Sequence, residues 1–459
     1  MATLNENLTR LSDAKADIAQ AIENKGVTVP NNSGFEDFSE LIDSIETSGS
    51  NEVDEKDVNF YDFDGRRIYS YTKEEFLQLS EFPANPTHEG LISLGWNWDF
   101  ENVYNYVQAN GLCDVGQQYT TDDGCTRIHI SLPENCLNPY IGLYGSYSVQ
   151  GYYINATIDW GDNSSAETYE YSSGLHFVGH TYNKPGDYII SIKINGGVWN
   201  TAGTWGGLGT WLIQSSDSTT LSDMTRRYRN CITRIDLGAN TSGNIPLGVD
   251  FMSLESITGF TTLSFSAGYS ESGAGKGYAI DTLIVPKGQT SFSLGYPQYE
   301  YNPPQLMHRI ILSDTITYFD CTNNFSIEKI ILPNSITTIY RYCFWNCTKL
   351  KTICMGNVTT IYNRAFERCT SLPSLTIPAT VTSLPTDSSS SSLRSILTGG
   401  NSYNLKFIKF KRSTPVSVSS GYFDFVTAGT IIYVPKGSLS SYTSAANYPS
   451  TSTCTYIEY

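Results

Sequence analysis

The sequence has 459 residues, of which 40% are hydrophobic and 16% charged, a composition that excludes a disordered chain. This length exceeds one ordinary core and predicts several domains. The formal net charge of −16 repels phosphate backbones, so we expect no nucleic-acid partner. No run approaches the roughly 18 apolar residues of a membrane span. The polar N-terminal segment lacks a secretory signal pattern, so we expect a protein made in a cytoplasm and left there or packaged.

Residues 1–47 are predicted to form two helices. In the first, apolar residues keep the 4-3 spacing of a coiled-coil seam at Leu4, Leu8, Leu11, Ile18 and Ile22. The second opens with Ser33 and Glu36 in the spacing of a capping box. So small a unit buries its apolar stripe poorly alone, so we expect it to form homo-oligomers or to attach to a larger partner. Residues 48–57 are predicted to be a linker.

Residues 58–135 are predicted to form a small α+β domain. Strand-like alternation surrounds an Asp64-Gly65 turn, and Thr72 with Glu75 forms a second capping box. A helix follows with one apolar face and ends at Gly111. The stretch YTTDDGCTRIHISL then predicts a hairpin.

Residues 136–200 are predicted to form a β-sandwich, because strand-like runs recur about every ten residues between turn signals. The segments Trp160-Gly161-Asp162, His180-Thr181-Tyr182 and Pro185-Gly186-Asp187-Tyr188 resemble the PKD-type immunoglobulin-like module. This resemblance implies a spacer or binding module and no catalyst.

Residues 201–400 are predicted to form a leucine-rich-repeat solenoid, irregular at its start, and residues 401–459 its closing coils and cap. Apolar positions recur with shifts of 22 or 23 residues, which is typical of one β-strand per coil. The aligned positions are Ile327, Ile330, Leu332, Ile336, Ile339, Phe344 and Cys347, then Leu350, Ile353, Met355, Val358, Ile361, Phe366 and Cys369.

The spacing I-x3-A-F-x2-C-x2-L, best matched from Ile361 to Leu372, resembles the BspA-like leucine-rich repeats of bacterial surface and phage proteins. Cys347 and Cys369 fall on inward positions, and Cys343 replaces a small buried residue. We therefore predict buried thiols that act as small hydrophobes.

The outward strand positions of such a solenoid can vary without disturbing its core, which makes them candidate contacts for a partner. The alternative is that they are merely solvated strand residues. The candidate binding residues are Lys329, Ile331, Thr352, Cys354, Ser374 and Thr376.

The sequence predicts no catalytic residue, metal site or cofactor. Asp159 and Asp162 flank a turn, where aspartate usually accepts hydrogen bonds from its own backbone. His176 and His180 lie in a segment that reads as β, where residues four apart are about 13 Å distant. No phosphate-binding loop matches the required spacing.

The N-terminal 47 residues and the segment from Val58 to Phe100 resemble phage and prophage tail or fibre proteins of gut bacteria. These resemblances imply a non-enzymatic virion protein, anchored to other virion proteins by its N-terminal helices and adhering to a host surface glycan or protein through the solenoid. Three alternatives are a capsid-attached head fibre or decoration protein, a bacterial cell-surface adhesin, and a glycan-cleaving tailspike.

Overall fold

The structure, a computed structural model, is mainly β with few helices, as predicted. The chain divides into two compact units, residues 1–54 and residues 55–459. In the first unit Lys15 is helical, and the predicted N-terminal helices otherwise lie outside the described residues. The described residues are 53–134, 136–145, 147–148, 151–172, 175–198, 231–239, 241, 244–247, 253–260, 262–265, 280–293, 307–322, 324, 326–384, 405–418, 420, 422–423, 426 and 428–459, with Lys15 and Pro30.

The second unit begins with a four-stranded sheet of order β2-β1-β4-β3. Gly65, at a φ of +88°, turns the chain between β1 and β2, which pair as the predicted hairpin. The capping box at Thr72 and Glu75 and the left-handed cap at Gly111 are both confirmed. The elements are β1 Val58–Tyr61, β2 Arg67–Tyr71, α1 Lys73–Phe76, β3 Leu91–Trp96, α2 Phe100–Asn110 and β4 Cys113–Thr121.

The hairpin predicted around residues 119–132 is wrong. β1 pairs with residues 113–116 of β4, and β3 pairs with residues 117–121, so β3 takes the place that the hairpin prediction gave to the following strand. That strand, β5, instead pairs with β12 and β13 in a six-stranded sheet of order β10-β9-β12-β5-β13-β15. The bounds are β5 Thr126–Leu132, β6 Tyr140–Tyr144, β7 Tyr147–Ser148, β8 Gly151–Tyr152, β9 Ile154–Asp159, β10 Glu167–Tyr171, β11 Leu175–Gly179 and β12 Gly186–Gly197.

The six-stranded sheet runs directly into a stack of coils. β13 pairs antiparallel with β5 on one side and parallel with β15 on the other, and β14 pairs parallel with β16. Each of these early coils therefore contributes one strand to each of two parallel ladders, β13-β15 and β14-β16. The four strands are β13 Ile232–Asp236, β14 Asn244–Leu247, β15 Ser256–Thr258 and β16 Thr262–Phe265.

The later coils repeat this plan and form the predicted C-terminal solenoid. We call β17-β19-β21-β23 the first sheet and β25-β26-β27-β28 the second sheet; both are parallel. The bounds are β17 Thr282–Ile284, β18 Ser291–Ser293, β19 Arg309–Ile311, β20 Tyr318–Asp320, β21 Lys329–Ile331, β22 Thr338–Ile339, β23 Thr352–Cys354, β24 Thr360–Ile361, β25 Ser374–Ile377, β26 Phe407–Phe410, β27 Ile431–Val434, α3 Leu439–Thr443 and β28 Thr455–Glu458.

The predicted repeat positions fill the inside of the solenoid. Phe344 and Phe366, 22 residues apart, stack with ring centroids 5.1 Å apart and planes 5° from parallel. The inward cysteines are confirmed, because Cys343, Cys347 and Cys369 are all buried free thiols. Burial raises the pKa of the Cys343 and Cys369 thiols well above the usual value, so these groups stay protonated and apolar.

Residues 55–121, which we call the covering unit, pack against the outer side of the first sheet. β4 crosses the sheet with Gly116 facing Ile284, and a methyl group on Gly116 would lie 2.4 Å from Ile284 Cγ2. Only a glycine allows so close an approach of backbone to side chain. Residues 55–57, placed by the sequence in the linker, belong to this unit, since the Lys73 amide donates to Asp57 Oδ2 at 2.8 Å.

We predict that Gly116→Ala destabilises the whole chain by about 1–3 kcal/mol, because the added methyl group overpacks the contact with Ile284. Urea unfolding followed by tryptophan fluorescence measures the change. Adding Ile284→Ala to the same chain makes room for the methyl group, so the double variant should lose less stability than the sum of the two single variants. Strict additivity would contradict the docking of β4 on the first sheet.

Candidate functional site

The outward side chains of the first sheet form two rows across its strands. One row is polar or basic and runs through Thr282, Arg309, Lys329 and Thr352, which are paired in register. The other row is apolar and contains Ile284, Ile311, Ile331 and Cys354. Four of these residues, Lys329, Ile331, Thr352 and Cys354, are among the six at which the sequence predicts contacts for a partner.

The covering unit occupies the apolar row. Ile331 is buried against a cluster that includes Tyr106 and Val115, and Cys354 packs against the same cluster. Ile284 and Ile311 form a second buried cluster with Tyr61. The side chains that the repeat turns outward are therefore removed from water by another part of the same chain.

Polar side chains of the covering unit also satisfy the carbonyls at the ends of the first-sheet strands. Asn97 Nδ2 donates to the carbonyls of Val285 at 3.0 Å and Ile311 at 3.3 Å. Trp98 Nε1 donates to the Leu312 carbonyl at 2.7 Å, and Tyr106 Oη to the Leu332 carbonyl at 2.8 Å. Because buried carbonyl groups need hydrogen-bond donors, these bonds fix the register between the covering unit and the first sheet.

Lys329 joins the covering unit to the polar row through two ion pairs. Its Nζ lies 3.1 Å from Asp114 Oδ1 and 2.9 Å from Glu55 Oε1, and its side chain is 17% exposed. Burial favours the neutral amine, but the charges of Asp114 and Glu55 outweigh it and raise the Lys329 pKa to about 12. Burial likewise opposes the charge on Glu55, yet Lys329 keeps the pKa of that carboxyl lowered.

These contacts correct the sequence prediction for half of the candidate residues. Lys329, Ile331 and Cys354 do point outward, but the covering unit packs over them, so they are not available to another molecule. Thr352 stays exposed beside them. The burial of Lys329, Ile331 and Cys354 depends on side chains more than 200 residues away in the sequence. The local repeat pattern carries no information about those side chains.

The second sheet presents the same two outward rows, and there they remain partly exposed. Ser374, Phe407, Ile431 and Thr455 form one row. Thr376, Lys409, Tyr433 and Ile457 form the other. The predicted contacts Ser374 and Thr376 are half-buried, whereas Ile457 is 38% exposed. We call these eight residues together with Tyr459 the open face.

Aromatic contacts hold the open face in one arrangement. The Phe407 and Tyr433 rings meet edge to face with centroids 5.6 Å apart. Lys409 Nζ lies 3.9 Å from the centre of the Tyr459 ring, and Tyr459 Oη donates to the Phe410 carbonyl at 3.1 Å. Rigid aromatic groups lose little entropy on binding, which suits them to contact surfaces. In the sequence, the alternation of inward and outward side chains in LKFIKF and TIIYV indicates that Phe407, Lys409, Ile431 and Tyr433 point outward.

The turn residues considered as a possible site in the sequence have structural roles. Asp159 Oδ1 accepts from the Gly161 amide and Asp162 Oδ1 from the Ser164 amide, as predicted for turn aspartates. Asp162 Oδ2 also lies 2.8 Å from His180 Nε2. Burial disfavours the Asp162 carboxylate, but the Ser164 and His180 hydrogen bonds prevail and lower its pKa to about 2.

Within the described residues, no group of three or more His, Cys, Asp and Glu side chains is placed to hold a metal ion. In the same part of the chain, no helix combines the length and apolarity needed to span a bilayer.

Comparison with known families identifies one region. Residues 306–396 match the BspA type leucine rich repeat region in six copies. These residues include the last coils of the first sheet and β25 of the second. A comparison with curated proteins finds no match to the chain. The C-terminal solenoid thus contains BspA-type leucine-rich repeats. Outside residues 306–396, the assignment of coils to the solenoid rests on the strand pairing alone.

We predict that Lys329→Met destabilises the protein by about 3 kcal/mol, because it leaves the buried Asp114 carboxylate without its cation. The Lys329 pKa is raised from 10.5 to about 12, so its stabilising effect is complete below pH 10.5 and disappears as the pH rises through 12. The cost should therefore be the same at pH 7 and pH 9 in chemical denaturation.

Lys351→Met is the matched control for this substitution. Lys351 and its partner Glu328 are 57% and 44% exposed, so breaking this pair should cost less than about 1 kcal/mol. Equal losses for the two variants would show that the covering unit does not bury Lys329.

Proposed function

We propose that this chain is a non-enzymatic structural protein of a bacteriophage virion, a tail fibre or receptor-binding protein whose open face adheres to the host cell surface. The observation that carries the proposal is the difference between the two sheets of the solenoid. The outward rows of the first sheet are packed under the covering unit, whereas the corresponding rows of the second sheet remain accessible.

The composition of the open face supports a role in adhesion. It includes the aromatic residues Phe407, Tyr433 and Tyr459, and aromatic side chains are enriched in protein interfaces. The strand backbone that holds these side chains is hydrogen-bonded on a parallel ladder and needs no rearrangement to bind. Little ordering entropy would then oppose association.

The segments that precede the solenoid would hold the open face away from the particle. The N-terminal helices would attach the protein to the particle, and an immunoglobulin-like module of the PKD type within residues 136–200 would act as a spacer. In the core of this segment Tyr182 Oη donates to the Trp160 carbonyl at 2.7 Å. Several copies on one particle would convert weak single contacts into tight adhesion.

We predict that Tyr433→Ser with Ile457→Ser lowers particle adsorption to host cells at least tenfold, because the pair removes apolar contact area from the open face. Adsorption is measured as the loss of free particles from a cell suspension. The control is Leu94→Ser with Ile189→Ser, which removes two side chains that are 56% and 45% exposed outside the second sheet. The open-face assignment fails if the two double variants adsorb alike.

Deleting residues 1–47 tests the attachment role separately. We expect the shortened protein to fold, with the melting temperature of residues 55–459 preserved, because these form a compact unit of their own. We also expect it to be missing from purified particles by immunoblot. If it is incorporated at the full-length level, the anchor lies elsewhere in the chain. If the full-length protein never co-purifies with particles and is found on bacterial cells, the cell-surface adhesin alternative is correct.

A further inference from the structure

A cavity of about 520 Å³ lies between two turns at one end of the six-stranded sheet. One turn joins β9 to β10, and the other joins β11 to β12. The volume falls within the range of about 300–1,000 Å³ that small-molecule sites occupy. Six side chains in the lining supply polar groups or a ring, and none of them belongs to the open face. They are Asp162, Asn163, Asn183, Lys184, Asp187 and Tyr188.

Hydrogen bonds and stacked rings fix both walls of this cavity. On the first turn, Asp162 Oδ2 lies 2.8 Å from His180 Nε2. The His180 ring stacks on the buried Trp160 ring, with centroids 5.1 Å apart and planes 12° from parallel. On the second turn, Tyr188 Oη donates to the Lys184 carbonyl at 2.9 Å. A ligand would meet walls that are already formed, so little ordering entropy would oppose its binding.

The polar side chains around the cavity have hydrogen-bonding capacity to spare. The side chains of Asn163, Asn183, Lys184 and Asp187 are exposed, and none of them forms a hydrogen bond or an ion pair with another described residue. The two amides supply donors and acceptors, the ammonium group supplies donors, and the carboxylate supplies acceptors. Because these groups come from both turns, one ligand can be held from two sides.

The charges at the cavity exclude several classes of ligand. Lys184 is the one cation among the lining residues, and the carboxylates of Asp162 and Asp187 oppose it, so a phosphate or sulfate group would be repelled. The described residues place no group of three His, Cys, Asp or Glu side chains to hold a metal ion here. An apolar ligand would desolvate the polar groups without replacing their hydrogen bonds. A neutral ligand rich in hydroxyl groups is the class that remains.

A neutral saccharide matches the groups that line the cavity. Each sugar hydroxyl both donates and accepts hydrogen bonds, as the amides of Asn163 and Asn183 do, and the Asp187 carboxylate can accept from two neighbouring hydroxyls. The half-buried Tyr188 ring packs on Tyr182 with centroids 4.2 Å apart. A fixed aromatic ring of this kind gives the C–H groups of a sugar an apolar surface to cover.

We propose that this cavity binds one or two rings of a neutral saccharide. Asn163 from one turn and Asn183 and Asp187 from the other form hydrogen bonds with its hydroxyl groups. One sugar ring packs against Tyr188. The site lies within residues 136–200, outside the solenoid, and its binding is a property of the purified chain. Failure of this proposal would therefore leave the proposed role of the open face standing.

The test uses the full-length protein with lactose, maltose, chitobiose and mannobiose as neutral probes, and saturation-transfer NMR measures the Kd of each. We expect at least one probe to bind with a Kd below about 10 mM. The Kd should stay within twofold between low and physiological salt, because a neutral ligand carries no charge to be screened. Asn183→Ala with Asp187→Ala should weaken this binding at least tenfold, with the melting temperature unchanged.

Asn85→Ala with Glu89→Ala is the matched control. It removes an amide and a carboxylate, also four residues apart, from an exposed loop of the covering unit, and should leave the Kd within twofold. Asn163→Gly tests the opposite turn. The φ of Asn163 is 68°, a conformation that glycine adopts readily, so the turn is kept while the amide is lost. Its affinity should fall at least threefold.

Three results would overturn the proposal. The first is that none of the four disaccharides binds. The second is that the Asn183→Ala, Asp187→Ala variant and the control variant bind the best disaccharide equally well, because binding would then take place elsewhere on the chain. The third concerns glycylglycine, a zwitterion used as a fifth probe. If it binds as tightly as the best disaccharide and depends on the same two residues, the cavity recognises charged peptide ends and not a sugar.

Discussion

The packing of β4 on the outer side of the first sheet determines which surfaces of the solenoid are available. A parallel stack of coils buries one side of each strand and leaves the other to be covered or solvated. Here Gly116 lets the β4 backbone reach Ile284, and Tyr61, Tyr106 and Asn97 close the contact. The first sheet is thereby packed on both sides, and the outward rows that stay partly exposed are those of the second sheet.

Residues 55–459 form one compact unit. The covering unit, the six-stranded sheet and the solenoid share strands and cores, since β5 pairs with both β12 and the first coil strand β13. The His129–Asp236 ion pair, 3.0 Å long, spans that same junction. The sheets and the solenoid are therefore joined by continuous hydrogen-bonded ladders.

Local pattern was enough to predict the elements that depend on neighbouring residues. The 22-residue shift placed the buried Phe344 and Phe366, and the caps at Thr72 and Gly111 followed from the residues themselves. Contacts between distant segments left no such signal. Lys329 pairs with Asp114 from 215 residues away, so its outward strand position looked like a free contact. The false hairpin has the same origin, because nothing local shows that β3 pairs with the residues of β4 that the hairpin would have used.

The most direct measurement is hydroxyl-radical footprinting of the full-length protein, alone and bound to isolated host envelopes, with oxidation read by mass spectrometry. We predict that Tyr61, Trp98 and Tyr106 are protected in both states, while Tyr433 and Tyr459 are oxidised in the free protein and protected on binding. Oxidation of Tyr61, Trp98 and Tyr106 at the rate of Tyr459 in the free protein would contradict the covering of the first sheet. Unchanged oxidation of Tyr433 and Tyr459 on binding would contradict the role of the open face.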